Sequence, residues 1–206
     1  IIRQQIARDA TPEQFLYFMA VAVRSGLDPI RRQIYPVFFR RREKKKDGQW
    51  GYADEKDMAI ITGIDGFRAT AAKSKVYAGS DDPEYGPVDA QGYPEWARIT
   101  VYKIVQGQRV SFTATCRWAE FAYETRDEKR TVKAFYKERP FNQLAVRTET
   151  HALRKGFPEE MKDLDLAEQS WDAEQAWSEV NTVTGEIVEG HSRVLSGPEQ
   201  EEPQNA

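Results

Sequence analysis

The stretch Arg109-Val110-Ser111-Phe112-Thr113-Ala114-Thr115-Cys116-Arg117 decides the fold class of this 206-residue chain. Val110, Phe112, Ala114 and Cys116 alternate with Arg109, Ser111, Thr113, Thr115 and Arg117. Successive side chains of a strand point to opposite faces, so the pattern predicts one buried face and one polar, basic-ended face. Arg98 to Val105 forms a second run just upstream, and Gln106-Gly107 between them signals a turn, so the two make an antiparallel hairpin. Cys116 falls on the buried face and reads as inert core.

Moving toward the N-terminus, Ile60 to Arg68 reads as a strand entering a helix through a glycine turn, with Ala69, Ala71 and Ala72 continuing the helix. Gln33 to Arg40, rich in Tyr, Val and Phe, predicts another strand. Lys46-Asp47-Gly48-Gln49 supplies an Asp-Gly turn before Trp50-Gly51-Tyr52, so a second hairpin is expected. Its tip is basic, with Arg40, Arg41, Arg42 and Lys44 to Lys46 flanked by Phe38, Phe39, Trp50 and Tyr52. Basic and aromatic side chains together suit nucleic-acid contact; a solvated hairpin end with strand-packing aromatics is the alternative. Further upstream, Thr11-Pro12-Glu13-Gln14 carries an N-cap, a first-position proline and a capping-box partner, and Gly26 stops the helix. Phe15, Met19, Ala22 and Val23 share one face at helical spacing and are expected in the core.

Toward the C-terminus, Arg126 to Lys137 is a charged loop holding Arg126, Lys129, Arg130, Lys133 and Lys137. It leads through Arg139-Pro140 into a long helix. Gln143, Arg147, His151 and Arg154 recur at offsets of four, four and three, which makes one polar stripe. Phe141, Leu144, Ala145, Thr148 and Ala152 are expected to make the opposite, buried face. Arg147 and Arg154 lie two turns apart, about 10 Å at 1.5 Å rise per residue. Together the elements predict an α+β fold of antiparallel hairpins packed with helices, with a body at residues 1–158 and an acidic, mostly disordered tail at 159–206.

The net charge of −3 conceals an asymmetry. Residues 1–156 carry 28 Lys+Arg against 20 Asp+Glu, and residues 157–206 carry 2 against 13. A basic body suits a polyanion, and an acidic tail suits an interaction or self-masking role. Trp171 and Trp177 in that tail are candidates for docking on the body or a partner. Cys116 is alone and the histidines are only His151 and His191, so no disulfide framework or zinc cluster can be assembled from one chain. A reducing compartment follows as the simpler reading. No run approaches the roughly 20 apolar residues of a membrane span. The opening Ile1-Ile2-Arg3 lacks a starting Met and a signal pattern, and reads as trimmed. No G-x-x-x-x-G-K-[ST] occurs, so ATP-driven strand exchange loses its main support, and no cofactor, metal or catalytic residue is expected.

Three segments, in this order and spacing, resemble the phage RecT/Bet single-strand annealing recombinases, most closely the Bet branch. The first is Gln14-Phe15 with Gly26-Leu27-Asp28-Pro29 and Gln33-Ile34-Tyr35-Pro36. The second is Gly63-Ile64-Asp65-Gly66-Phe67-Arg68. The third is the Arg139-Pro140 helix ending Leu153-Arg154-Lys155-Gly156-Phe157-Pro158. The resemblance implies an α+β annealing core in a ring or helical filament, in the cytoplasm of a bacterial host. It implies pairing of single-stranded DNA into annealed duplex without ATP, and a phage exonuclease or host single-strand-binding protein as partners. Arg32, Arg147 and Arg154 resemble basic positions of the family, while Phe141 stands where another basic position would be. With Arg40, Arg41, Arg42, Lys133, Lys137 and His151 they form the expected DNA-binding set. Such a protein must grip phosphates and sugars and leave Watson–Crick edges free, which arginine and lysine do well. The alternatives are a metal-dependent nuclease using Asp54, Glu55 and Asp57 or Asp127 and Glu128, and a protein-binding scaffold.

Overall fold

The computed structural model describes residues 1–40, 42–45, 48–123, 131–162 and 164, without the side chains of Arg42, Glu43 and Trp50. Arg41, the segment 124–130 and residues 165–206, including Trp171 and Trp177, lie outside the described residues, and with them the expected disordered tail beyond residue 164.

A short helix, α1 (Ile2–Gln5), precedes α2 (Pro12–Ser25). The second helix starts where the capping box is complete: Gln14 N donates to Thr11 Oγ1 at 3.2 Å and Thr11 N donates to Gln14 Oε1 at 3.0 Å. Gly26, at φ 63°, closes it in the left-handed conformation that a side chain would resist. Phe18 and Ala22 are buried and Phe15 and Met19 partly so, but Val23 is 76% exposed. The expected core face is therefore rotated toward Phe18.

The first hairpin forms in two segments. β1 (Ile34–Phe39) pairs antiparallel with β4 (Asp57–Thr62), and β2 (Arg42–Lys44) pairs with β3 (Trp50–Tyr52) further out. The 50–52 segment thus pairs with the basic tip, while Ile34 to Phe39 face Asp57 to Thr62, with Ile34 opposite Thr62. β4 passes at Gly63 into α3 (Ile64–Lys73). Gly66 lets this helix approach β1: a Cβ there would stand 2.3 Å from Gln33 O and 2.7 Å from Thr62 Cγ2.

The second sheet is built on β7 (Trp96–Val105). β5 (Tyr77–Ser80) and β6 (Glu84–Tyr85) share one of its edges, and β8 (Gln108–Arg117) takes the other. Gln106 at φ 50° and Gly107 at φ 77° form the connecting turn, since a two-residue hairpin whose twist matches its strands needs both central residues at positive φ. After β8 come α4 (Trp118–Phe121), α5 (Ala134–Glu138), α6 (Pro140–Gly156) and α7 (Pro158–Met161).

The long helix α6 lies across one face of β7 and β8 with α3 on another side, so the fold is α+β with antiparallel hairpins packed by helices. The main core joins Phe18, Phe67, Ile99, Val101, Ala152, Leu153 and Phe157. Met161 and Leu164 are buried in the same cluster, so packed chain continues past Pro158. A second cluster holds Cys116, Trp118, Phe135, Tyr136 and Leu144. Lys103 of β7 donates to Gly156 O at 3.2 Å, setting a cation at the negative C-terminal end of α6.

Candidate nucleic-acid interface

The interior of α6 is polar as well as buried. Gln143, Thr148, Glu149 and Thr150 are buried beside Leu144, Ala145, Ala152 and Leu153. Each hydroxyl is satisfied within the helix: Thr148 Oγ1 donates to Leu144 O at 2.7 Å and Thr150 Oγ1 to Val146 O at 2.9 Å. Gln143, expected on the exposed stripe, is only 2% exposed, and Phe141, expected in the core, is 36% exposed. Phe141 instead meets the Tyr85 ring edge-on at 5.0 Å, and its carbonyl accepts from Tyr85 Oη at 3.2 Å. Gln143 is buried because α6 is covered on nearly every side along its middle, while Phe141 lies in the exposed first turn, so polarity does not mark the helix's outer face.

Arg147, His151 and Arg154 are half-buried. The Arg147 guanidinium lies 4.9 Å from the centre of the Phe121 ring of α4, and His151 meets the same ring edge-on at 5.6 Å. Arg154 lies 4.9 Å from the centre of Phe67 of α3. An arginine laid on a ring keeps its charge and has part of its freedom already removed. The positive field of Arg147 also reaches the second core cluster. Burial pushes the Cys116 thiol and the Tyr136 hydroxyl up, the latter to about 12, and Arg147 pulls both the other way.

The remaining expected residues are dispersed. Arg32 is exposed at φ 56°, and its carbonyl would stand 2.8 Å from a Cβ on Gly63, so it sits against the start of α3. Arg40 is exposed at the end of β1, and Lys137 is exposed on α5. Lys133 is 8% exposed, with its backbone N bonded to Ala122 O at 2.8 Å, so its side chain is set apart from the exposed cations. Arg42 lies in β2, and Arg41 is outside the described residues. The structure thus gathers Arg147 and His151 on one ring and sets Arg154, further along α6, against Phe67 of α3.

Sequence reasoning missed the role of Arg68. Its Nε and Nη2 donate to the two carboxylate oxygens of buried Glu149 at 2.8 and 2.7 Å, and Nη1 reaches Asp65 Oδ1 at 3.3 Å. The hydrogen bond to Glu149 raises the Arg68 pKa, against the effect of burial. Asp65 was visible as an i,i+3 neighbour, but Glu149 is 81 residues away in sequence and no local pattern could link it.

Among the described residues no group of three His, Cys, Asp or Glu side chains is placed to hold a metal ion, so Asp54, Glu55 and Asp57 do not converge on one. Asp127 and Glu128 lie outside the described residues. No helix among the described residues is long and apolar enough to cross a membrane.

The described residues form an α+β body in which two arginines of one helix, Arg147 and Arg154, lie over aromatic rings. The RecT family profile matches residues 1–186, and the chain belongs to that family, whose members are phage single-strand annealing recombination proteins. The match is to the family as a whole and does not distinguish its Bet branch. No curated protein matches the chain.

Proposed function

We propose that this chain binds single-stranded DNA through its backbone and pairs complementary strands without hydrolysing a nucleotide. The observation that carries the reading is the placement of Arg147 and Arg154, two turns apart on α6, each laid on an aromatic ring that orients it. Two phosphate contacts fixed to one rigid helix would track a strand while its bases stay exposed to a second strand. Base pairing then supplies the driving energy. Arg32, Arg40 and Lys137 are exposed cations that would extend the grip, and the basic tip would do the same through Arg41 and Arg42.

Weak contacts multiply when copies line up, so the reading includes a ring or helical filament in which one basic groove spans many nucleotides. It also includes an annealing unit at residues 1–158 with an acidic tail, a bacterial cytoplasmic location, and a phage exonuclease or host single-strand-binding protein as partner. The test mixes the protein with two complementary labelled oligonucleotides, without nucleotide and in the presence of EDTA. Annealing well above the spontaneous rate is expected. Annealing that requires ATP would overturn the proposal, as would strand cleavage when magnesium is restored.

A further inference from the structure

The helix α6 covers only one face of the β7–β8 hairpin. Ala97, Val101, Phe112 and Cys116 point into that side, and Phe112 and Val101 lie against Gly156. Alternation sends Trp96, Arg98, Thr100 and Tyr102 of β7, with Arg109, Ser111, Thr113, Thr115 and Arg117 of β8, to the opposite face. Arg98, Arg109 and Arg117 are exposed there, and neither strand places an acidic side chain on that face.

Two of these arginines lie over aromatic rings. Arg98 lies 4.9 Å from the centre of the Trp96 ring, and its Nε points at Thr115 Oγ1 at 3.4 Å. Trp96 is itself pressed against Gly86, where a Cβ would stand 2.3 Å from the indole nitrogen. At the other end Arg109 lies 3.5 Å from the centre of the Tyr102 ring, whose hydroxyl donates to Asp81 Oδ2 at 2.7 Å. Between them Thr100 and Thr113 share a hydroxyl–hydroxyl bond of 2.8 Å across the strands. Trp96 and Tyr102 are six residues apart, about 20 Å along a strand. Glu84 approaches Arg98 only at 3.7 Å, with both side chains largely exposed, an ion pair weak enough for a phosphate to replace.

We propose that this sheet face, uncovered among the described residues, is a second polynucleotide contact, taking a single strand by phosphate bonds to Arg98, Arg109 and Arg117 and by base stacking on the aromatic planes at its two ends. It rests on the annealing reading but is separate from the α6 arginines and was in no part of the expected DNA-binding set. Three arginines outnumber the neighbouring Asp81 and Glu84, which suits a polyanion, and the planar groups beside them complement bases. An acidic peptide would satisfy the charges and leave the planes unused.

The experiment uses the full chain and a labelled mixed-sequence oligonucleotide carrying 5-bromouracil. Irradiation should cross-link the strand to the segment containing Trp96 and Tyr102. Arg98→Ala with Arg109→Ala should flatten the log–log salt dependence of affinity by about 1.4, at about 0.7 per lost contact, with affinity falling on the order of tenfold at low salt. Arg98→Lys with Arg109→Lys should keep the slope and lose affinity, because lysine retains charge without the plane. Cross-links confined to other segments, or an alanine pair that is folded by circular dichroism and binds with unchanged slope and affinity, would overturn the proposal and leave the annealing reading standing. Polyglutamate displacing the strand through this face as well as an unlabelled oligonucleotide does would overturn it in favour of a protein partner. Unmutated protein that neither binds nor anneals oligonucleotides would instead overturn the annealing reading.

Discussion

Glu149 is a carboxylate in the buried middle of a helix, 7% exposed, and Arg68 makes that position tolerable by meeting both of its oxygens. Removing one partner of a buried pair leaves an uncompensated charge, whereas neutralising the buried partner does not. Arg68→Ala should therefore cost about 3 kcal/mol, toward the low end for such pairs because Arg68 is itself half-exposed. Glu149→Gln should cost clearly less, and adding it to Arg68→Ala should recover part of the loss. Urea unfolding of the four proteins in the cycle measures this, and equal losses for the two single variants would show that the pair is not what holds α3 on α6. Tyr136 gives the residue scale a pH signature. Burial favours its neutral form and pushes its pKa to about 12, above the ordinary value near 10. The folded state then holds a proton that the unfolded chain releases, so the contribution is complete below pH 10 and is lost as pH rises toward 12. The loss over that window is roughly 2 to 3 kcal/mol at 1.36 kcal/mol per unit. Tyr136→Phe should unfold less steeply between pH 10 and 12 than the unmutated protein; parallel curves would contradict the assignment.

At the scale of the element, α6 shows where a polarity pattern stops reporting exposure. Phe141→Ala removes a ring that is over a third exposed and packs on Tyr85, so it should cost about 1 kcal/mol. Leu144→Ala empties a fully buried site and should cost about 2 to 5 kcal/mol. Chemical denaturation midpoints for the pair check the order, and a larger loss for Phe141→Ala would restore the face read from the sequence. The signals that were legible are those in which the chemistry is local. The Thr11 capping box, Gly26 at its helix end, the Gln106-Gly107 turn and the alternation of β8 each depend on a few adjacent residues and a backbone requirement. What was not legible depends on partners far along the chain. The pairing of β1 with β4 below the β2–β3 tip, the burial of Gln143 and Lys133, and the Arg68–Glu149 bond are set by packing between elements and not by adjacent residues. The α6 arginines stand out from spacing as one stripe, but the rings of Phe121 and Phe67 beneath them do not, because aromatic residues in neighbouring helices carry no periodic mark.

For the whole molecule the problem is electrostatic: a chain of net charge −3 belongs to a family that anneals DNA, itself a polyanion. Long-range attraction must then come from part of the chain. Residues 1–164 carry a net +6, and residues 165–206, with ten acidic side chains and Arg193, carry a net −9. If the C-terminal segment competes with DNA for the basic body, its removal should tighten single-strand binding most where screening is weakest. At about 0.01 M salt the screening length is ~30 Å, comparable to the size of a small domain, whereas at about 1 M it is ~3 Å. A protein ending at residue 164 keeps the buried Met161 and Leu164 and should retain the packed core. Its affinity for a labelled oligonucleotide should exceed that of the full chain several-fold at low salt, and the two binding curves should converge as salt rises, because only the screened charge term has been removed. The truncated protein should also show the steeper log–log salt dependence, since its cations no longer exchange one polyanion for another. Equal affinities at low salt in two folded proteins would show that the acidic segment does not mask the body, and would leave its charge to be explained by a partner.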